Sequence, residues 1–213
     1  LLVVVRTAEG QDKQGISLVI VDCDEASMQI QCQKNMDETR LLAEVTFHNV
    51  QVSSQQIVGT VHQGWDALQE SLLSFNAALC STIVGSVEKI VETAVEYAII
   101  REQFNQPIGR FQAIKHRLVD MKMDLETARS LAYYANWAIE SNAEDKVEAV
   151  SSARLFATEA FIKVASQSIQ IHGGIGFTEE IDCHLYVKRA RFYENYLGTT
   201  QQYYEQTAVA LGW

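Results

Sequence analysis

The sequence predicts a mainly α fold, an antiparallel helix bundle preceded by a partial β-sheet or barrel. Three observations lead there. Apolar residues alternate with polar ones in the first part of the chain. From about Gly64 they recur three and four positions apart instead. Pro107 is the only proline, so little interrupts the later pattern. The first period belongs to strands and the second to helices. The boundary is placed between residues 1–60, the β part, and residues 61–213, the bundle.

Four short strands are expected in the β part. Leu1–Val5 and Ser17–Val21 are continuous apolar runs and read as buried strands, separated by a polar turn over Glu9–Gly15. Met28, Ile30 and Cys32 alternate with Gln29, Gln31 and Gln33, the pattern of a strand with one wet face. Val45 and Phe47 alternate with Glu44, Thr46 and His48 in the same way.

A long helix is expected from Trp65 to Arg101, with Val84, Val87, Val91, Val95 and Ala98 on one face. Pro107 and Gly109 mark the break after it. Ile114, Leu118, Met121, Leu125, Ala128, Ala132 and Ala135 form the stripe of a second helix, suited to antiparallel neighbours. Ser141-Asn142 and Glu144-Asp145 separate it from a third, with acidic residues favoured at the new N-terminus. The third helix shows Ala153, Ala157, Ala160 and Val164, a small-residue face for close packing. It stops at Gly173-Gly174. Two shorter helices follow, near Asp182–Asn195 and Thr200–Leu211.

Composition narrows the function. Hydrophobic residues make up 47% and charged residues 21% of 213 positions, an ordinary globular balance. A formal net charge of −10 argues against a phosphate-backbone partner such as nucleic acid. Cys23, Cys32, Cys80 and Cys183 lack zinc-site or redox-pair spacing, so free thiols and no metal site are expected. No run is read as a membrane span and no signal-peptide pattern is found. The chain opens inside an apolar run without a methionine, which suggests a fragment.

Three segments carry a more specific signal. The first is Arg101-Glu102-Gln103-Phe104-Asn105-Gln106-Pro107-Ile108-Gly109-Arg110-Phe111-Gln112. The second is Gln170-Ile171-His172-Gly173-Gly174-Ile175-Gly176-Phe177. The third is Tyr196-Leu197-Gly198-Thr199-Thr200-Gln201. Taken singly, each has a plain structural reading: a cation at a helix C-terminus, a core Phe104, a two-glycine helix stop, a Thr cap. Together, in this order, they resemble the C-terminal half of an acyl-CoA dehydrogenase, across essentially the whole chain.

That resemblance implies the end of a middle β-domain followed by the family's C-terminal helical domain, with FAD as cofactor. It assigns cofactor contacts to Arg101, Gln103, Phe104, Gln112, Gln170, Gly173, Gly174, Thr199 and Gln201, and the substrate thioester to Gly198. Arginine suits a pyrophosphate because its planar fork stays charged and donates paired hydrogen bonds. The glycines would let main chain approach a flavin held mainly by a neighbouring subunit. His172 reads as a packing or ring contact and not as a base.

The same resemblance exposes a departure. These enzymes take an α-proton from an acyl-CoA thioester while a hydride leaves the β-carbon for the flavin, and a carboxylate must stand within reach of that proton. The family commonly has glutamate where this chain has Leu197. Its alternative slot on the first long helix falls at Phe75, and the next position, often arginine, is Asn76. No catalytic residue is therefore assigned. Asp66, Glu70, Glu194 and Glu205 read as solvated helix charges.

The expected function is an FAD-linked acyl-CoA dehydrogenase subunit without the usual glutamate. An acyl-CoA oxidase or flavin monooxygenase of the same fold, or a non-catalytic assembly module, are the alternatives. Acyl-CoA substrate, homo- or hetero-tetramer subunits arranged as a dimer of dimers, and an electron-transferring flavoprotein acceptor are the implied partners. The implied location is cytoplasmic, or the mitochondrial matrix in a eukaryote.

Overall fold

The computed structural model describes residues 1–10, 13–23 and 27–213. The chain divides into two compact units, Leu1–Leu73 and Ser74–Trp213, with the division inside the first long helix.

In the first unit, β1 (Leu2–Arg6) pairs antiparallel with β2 (Ile16–Ile20), from Leu2 opposite Ile20 to Arg6 opposite Ile16. The short β5 (Ile57–Val58) adds to the other side of β2, so the order is β1-β2-β5. β3 (Met28–Gln33) and β4 (Leu42–Phe47) form a separate antiparallel pair, with Ile30 opposite Val45. The expected turn over Glu9–Gly15 lies partly outside the described residues.

Burial corrects two strand readings. Only β2 is buried; in β1, Leu2 is 59% and Val4 47% exposed. Among the described residues β1 pairs with β2 alone, and the face that carries Leu2, Val4 and Arg6 is left unpacked. β3 is exposed along most of its length, Ile30 and Cys32 included. Its alternation therefore marks strand geometry and not a wet face opposite a dry one. β5 is two residues long, too short to show a period.

The helices follow the periodic segments closely. They are α1 (Trp65–Ile100), α2 (Gln112–Glu140), α3 (Lys146–His172), α4 (Cys183–Asn195) and α5 (Thr200–Ala210). Between α1 and α2 lies a hairpin of β6 (Glu102–Gln103) and β7 (Gln106–Pro107). α3 is the centre of the second unit. It packs against α2, α4 and α5, and Ala153, Ala157, Phe161 and Val164 are fully buried along it. On α1 the buried stripe contains Ile83, Val84, Val87, Ile90, Val91, Ala94 and Ala98. Val95 lies off that stripe and is 37% exposed.

The absence of a membrane-length run also needs correction. Part of α1 is long and apolar enough to cross a membrane by length and composition alone. A core helix of a bundle passes the same test, and α1 carries the buried stripe of such a helix.

Candidate functional site

The predicted residues gather into two groups. The first lies where α1 and α3 end. The Arg101 N–H bonds the Tyr97 carbonyl at 2.9 Å, and the Arg101 carbonyl accepts from the Ile108 N–H at 2.8 Å. Phe104 and Asn105 both have positive φ, 54° and 59°. That is the two-residue hairpin turn whose twist matches its flanking strands. Phe104 is 86% exposed, with Phe111 edge-on at 6.0 Å between centroids. As a lone residue it reads as core; the hairpin instead holds it out at a turn tip. Gly109 has a packing reason, since a Cβ there would meet the Ala98 carbonyl oxygen at 2.9 Å.

His172 closes this group. Its Nδ1 lies 2.8 Å from the Ser168 carbonyl oxygen. A carbonyl only accepts, so Nδ1 carries the proton. The ring stacks on Tyr97 at 4.3 Å, and the Tyr97 hydroxyl donates to the His172 carbonyl at 3.3 Å. These contacts bind the end of α1 to the end of α3. Arg101 lies one turn after Tyr97, and Gly173 directly after His172.

Several side chains here remain available. Arg101, Gln112 and Gln170 are exposed, and their side chains make no hydrogen bond or ion pair with the described residues. The Gln103 amide donates to the Glu102 carbonyl at 2.8 Å. Gly173 has φ +66°, as a helix stop requires. Gly174 has no positive φ and nothing within 4 Å of a Cβ built on it. Nothing in the fold around Gly174 calls for glycine; close approach by an outside group would.

The second group surrounds the turn between α4 and α5. Leu197 has φ 59° and Gly198 φ 141°. A Cβ on Gly198 would meet the Tyr203 hydroxyl oxygen at 3.0 Å, so conformation and space both favour glycine. Thr199 caps α5: its N–H donates to Gln202 Oε1 at 2.8 Å, and its hydroxyl accepts from the Gln202 N–H at 3.3 Å. Gln201 donates to Glu205 at 3.1 Å.

Leu197 and Phe75 occupy the two positions read as base slots. Both side chains are partly exposed, at 45% and 44%. Phe75 meets Tyr196 edge-on at 6.1 Å. Glu194 pairs with Arg191 at 3.0 Å. Asp66, Glu70 and Glu205 are exposed, and the first two lie in the other unit.

Sequence reasoning missed the residue beneath this turn. Arg154 is 1% exposed. Its Nε donates to Asn76 Oδ1 at 3.1 Å. Nη2 donates to the Tyr193 carbonyl at 2.5 Å and the Tyr196 carbonyl at 3.1 Å, and Nη1 donates to the Thr158 hydroxyl. The guanidinium also sits over the Tyr203 ring at 5.2 Å. Tyr203 Oη is 3.0 Å from both Asn76 Oδ1 and the Leu197 carbonyl, which share its one proton. Burial pushes the Tyr203 hydroxyl up from its ordinary pKa, with Arg154 and Asn76 opposing. Burial pushes the nearby Cys80 thiol up to about 12 against the same guanidinium. The sequence signal is weak: Arg154 follows Ala153 but lies about 100° around the helix from it, off the small-residue face.

The two groups lie at opposite ends of α1 within the second unit. Asn76 contacts one group and Ile100 ends at the other. At the helical rise the interval along the axis is roughly 36 Å.

A family model described as acyl-CoA dehydrogenase, C-terminal domain, matches residues 62–211. A 3-(aryl)acrylate reductase from Clostridium sporogenes (strain ATCC 15579) is 28% identical over 94% of this chain and 54% of its own length. A Bacillus subtilis (strain 168) protein named "Probable acyl-CoA dehydrogenase YngJ" is 30% identical over 93% of this chain and 53% of its own length. The butyryl-CoA dehydrogenase structure from Megasphaera elsdenii superposes with a TM-score of 0.93 at 26% identity, covering all of this chain and 56% of that one. The chain thus spans about half the length of the relatives it matches.

Proposed function

This chain belongs to the acyl-CoA dehydrogenase family, and on that footing we propose that it is part of an FAD-linked acyl-CoA dehydrogenase subunit that lacks the α-proton base. The observation that carries this reading is Leu197 in positive-φ backbone beside Gly198 and the Thr199 cap, an ordered turn whose side chain cannot accept a proton. Phe75 at the alternative slot is equally unable to do so.

The residues fit a flavin dinucleotide. Arg101 offers an unengaged guanidinium fork for a pyrophosphate, and Gln112 and Gln170 offer unengaged amides beside it. Gly173 and Gly174 leave room for main chain to approach a ligand. Gln103 and Phe104 form the adjoining hairpin. Thr199 and Gln201 would face the flavin from the other group, and Gly198 the thioester. FAD, when bound, accepts the hydride from the acyl β-carbon. The interval along α1 is longer than an extended dinucleotide, which supports each group completing a different site shared with another subunit. A dimer of dimers, homomeric or with a base-bearing homologue, meets that need. Acyl-CoA is the substrate in this reading, and an electron-transferring flavoprotein the acceptor. The setting is cytoplasm or mitochondrial matrix.

The test is purification of the full-length protein alone and together with its neighbouring homologue, followed by visible absorption. Stoichiometric flavin and acyl-CoA-dependent bleaching are expected only in the mixed preparation. Full activity of the lone protein, abolished by replacing a carboxylate in residues 61–213, would overturn the partner-subunit reading. Leu197 also favours one competitor, a flavin monooxygenase, which needs no α-proton base. Hydroxylated product or peroxide in the presence of oxygen would identify that chemistry or an oxidase.

A further inference from the structure

We propose that Arg154 is the positioning residue of the Tyr196–Thr199 turn, acting on the main chain and not on any ligand. This rests on the reading of that turn as one half of the flavin and thioester site. Arg154 is buried, and among the described residues its hydrogen-bond acceptors are all neutral: two carbonyls, one amide and one hydroxyl. A buried cation without a carboxylate is costly, so a residue serving only to fill volume would be apolar.

The acceptors explain the charge. The Tyr193 and Tyr196 carbonyls lie at the C-terminus of α4, where a cation is favoured, and the Tyr193 carbonyl also accepts the Tyr196 N–H at 3.4 Å. One guanidinium nitrogen serves both. On its other side, Nε fixes Asn76 Oδ1, which lies with the Leu197 carbonyl around Tyr203 Oη. The turn is therefore held twice: directly at Tyr196, and through Asn76 and Tyr203 at Leu197. Leu197, a non-glycine residue at φ 59°, adopts a conformation that persists only when its surroundings over-determine it, while Gly198 enters positive φ freely. Only a planar fork reaches these directions together. Lysine, a point charge on a flexible stem, cannot.

The experiment uses the full-length chain in its flavin-bearing assembly. Amide hydrogen exchange is followed at Tyr196, Thr199, Gln202 and Tyr203, whose N–H groups are bonded in the native turn. Arg154→Lys is expected to speed exchange there at least tenfold, leave the amides of Leu125–Ala135 in α2 unchanged, and weaken flavin binding. Unchanged exchange at the turn, or an equal rise in α2, overturns the proposal. Tyr203→Phe keeps the ring under Arg154 and removes only the hydroxyl. It serves if Arg154→Lys does not fold, with a smaller rise at the same amides expected and no rise again overturning the proposal. Faster local exchange with unchanged flavin affinity supports the positioning role and instead removes the reading of the turn as a flavin contact.

Discussion

Tyr97 and His172 stack with their ring centroids 4.3 Å apart, joining the last turn of α1 to the last turn of α3. Arg101 follows Tyr97 by one turn, and Gly173 follows His172 directly. Tyr97→Leu removes the stack and the hydroxyl bond to the His172 carbonyl. A stability loss of about 1–2 kcal/mol is expected from the ring pair and the hydrogen bond. Denaturant titration measures it. Flavin affinity should fall as well, because two halves of one binding surface lose their tie.

Two glycines give opposite expectations. Gly198→Ala must enter positive φ against Tyr203, and about 1–3 kcal/mol of strain is expected. Gly174→Ala meets nothing and has ordinary φ, so stability should stay level or rise by about 0.5 kcal/mol. If Gly174 faces a flavin, the same change weakens flavin binding in a protein that melts no earlier. Thermal melts and flavin titration on both variants separate folding from binding.

Leu197→Glu tests directly the proposal that Leu197 stands at the base position. In the full-length assembly, the new carboxylate should raise acyl-CoA-dependent flavin bleaching by about 10²–10⁴-fold. Leu197→Gln, similar in size but not a base, should not. Equal rates for the two variants would mean that this turn is not where the α-proton leaves.

Cys80 predicts a pH dependence. Burial raises its folded-state pKa from 9.0 to about 12, so the folded protein keeps a proton that the unfolded chain releases. This contribution is fully present below pH 9 and is lost as pH rises toward 12. The slope is about 1.4 kcal/mol per pH unit within that window. Cys80→Ala should flatten the alkaline side of a stability–pH curve. In the native wild type, Cys80 should also resist alkylation at neutral pH while the exposed Cys23 and Cys32 react.

The helices were legible because their signal is local. A 3.6-residue period, one proline and the glycines after α3 mark ends to within a residue or two, as the α1 terminus at Ile100 against an expected Arg101 illustrates. The strands were legible as strands but not in their burial, since coverage of β1 and β3 depends on neighbours that alternation does not encode. Among the candidate site residues, the motif strings located the segments. They did not reveal that Phe104 is a turn tip, whereas the Thr199 cap was already one plain reading of its segment.

By itself, then, the amino-acid order determined the bundle and its breaks, and placed Leu197 and Phe75 where the family resemblance leads one to expect a carboxylate. Tertiary structure alone decided that Tyr97 of α1 stacks on His172 of α3, and that the Leu197 turn meets α1 near Asn76, far along the helix from Ile100. It also decided that Arg154 lies under that turn, joined to Asn76 and Tyr203 from distant parts of the chain. The physical reason is one of range. Backbone periodicity repeats every few residues and can be read along a line, whereas a guanidinium's acceptors are chosen by packing in three dimensions.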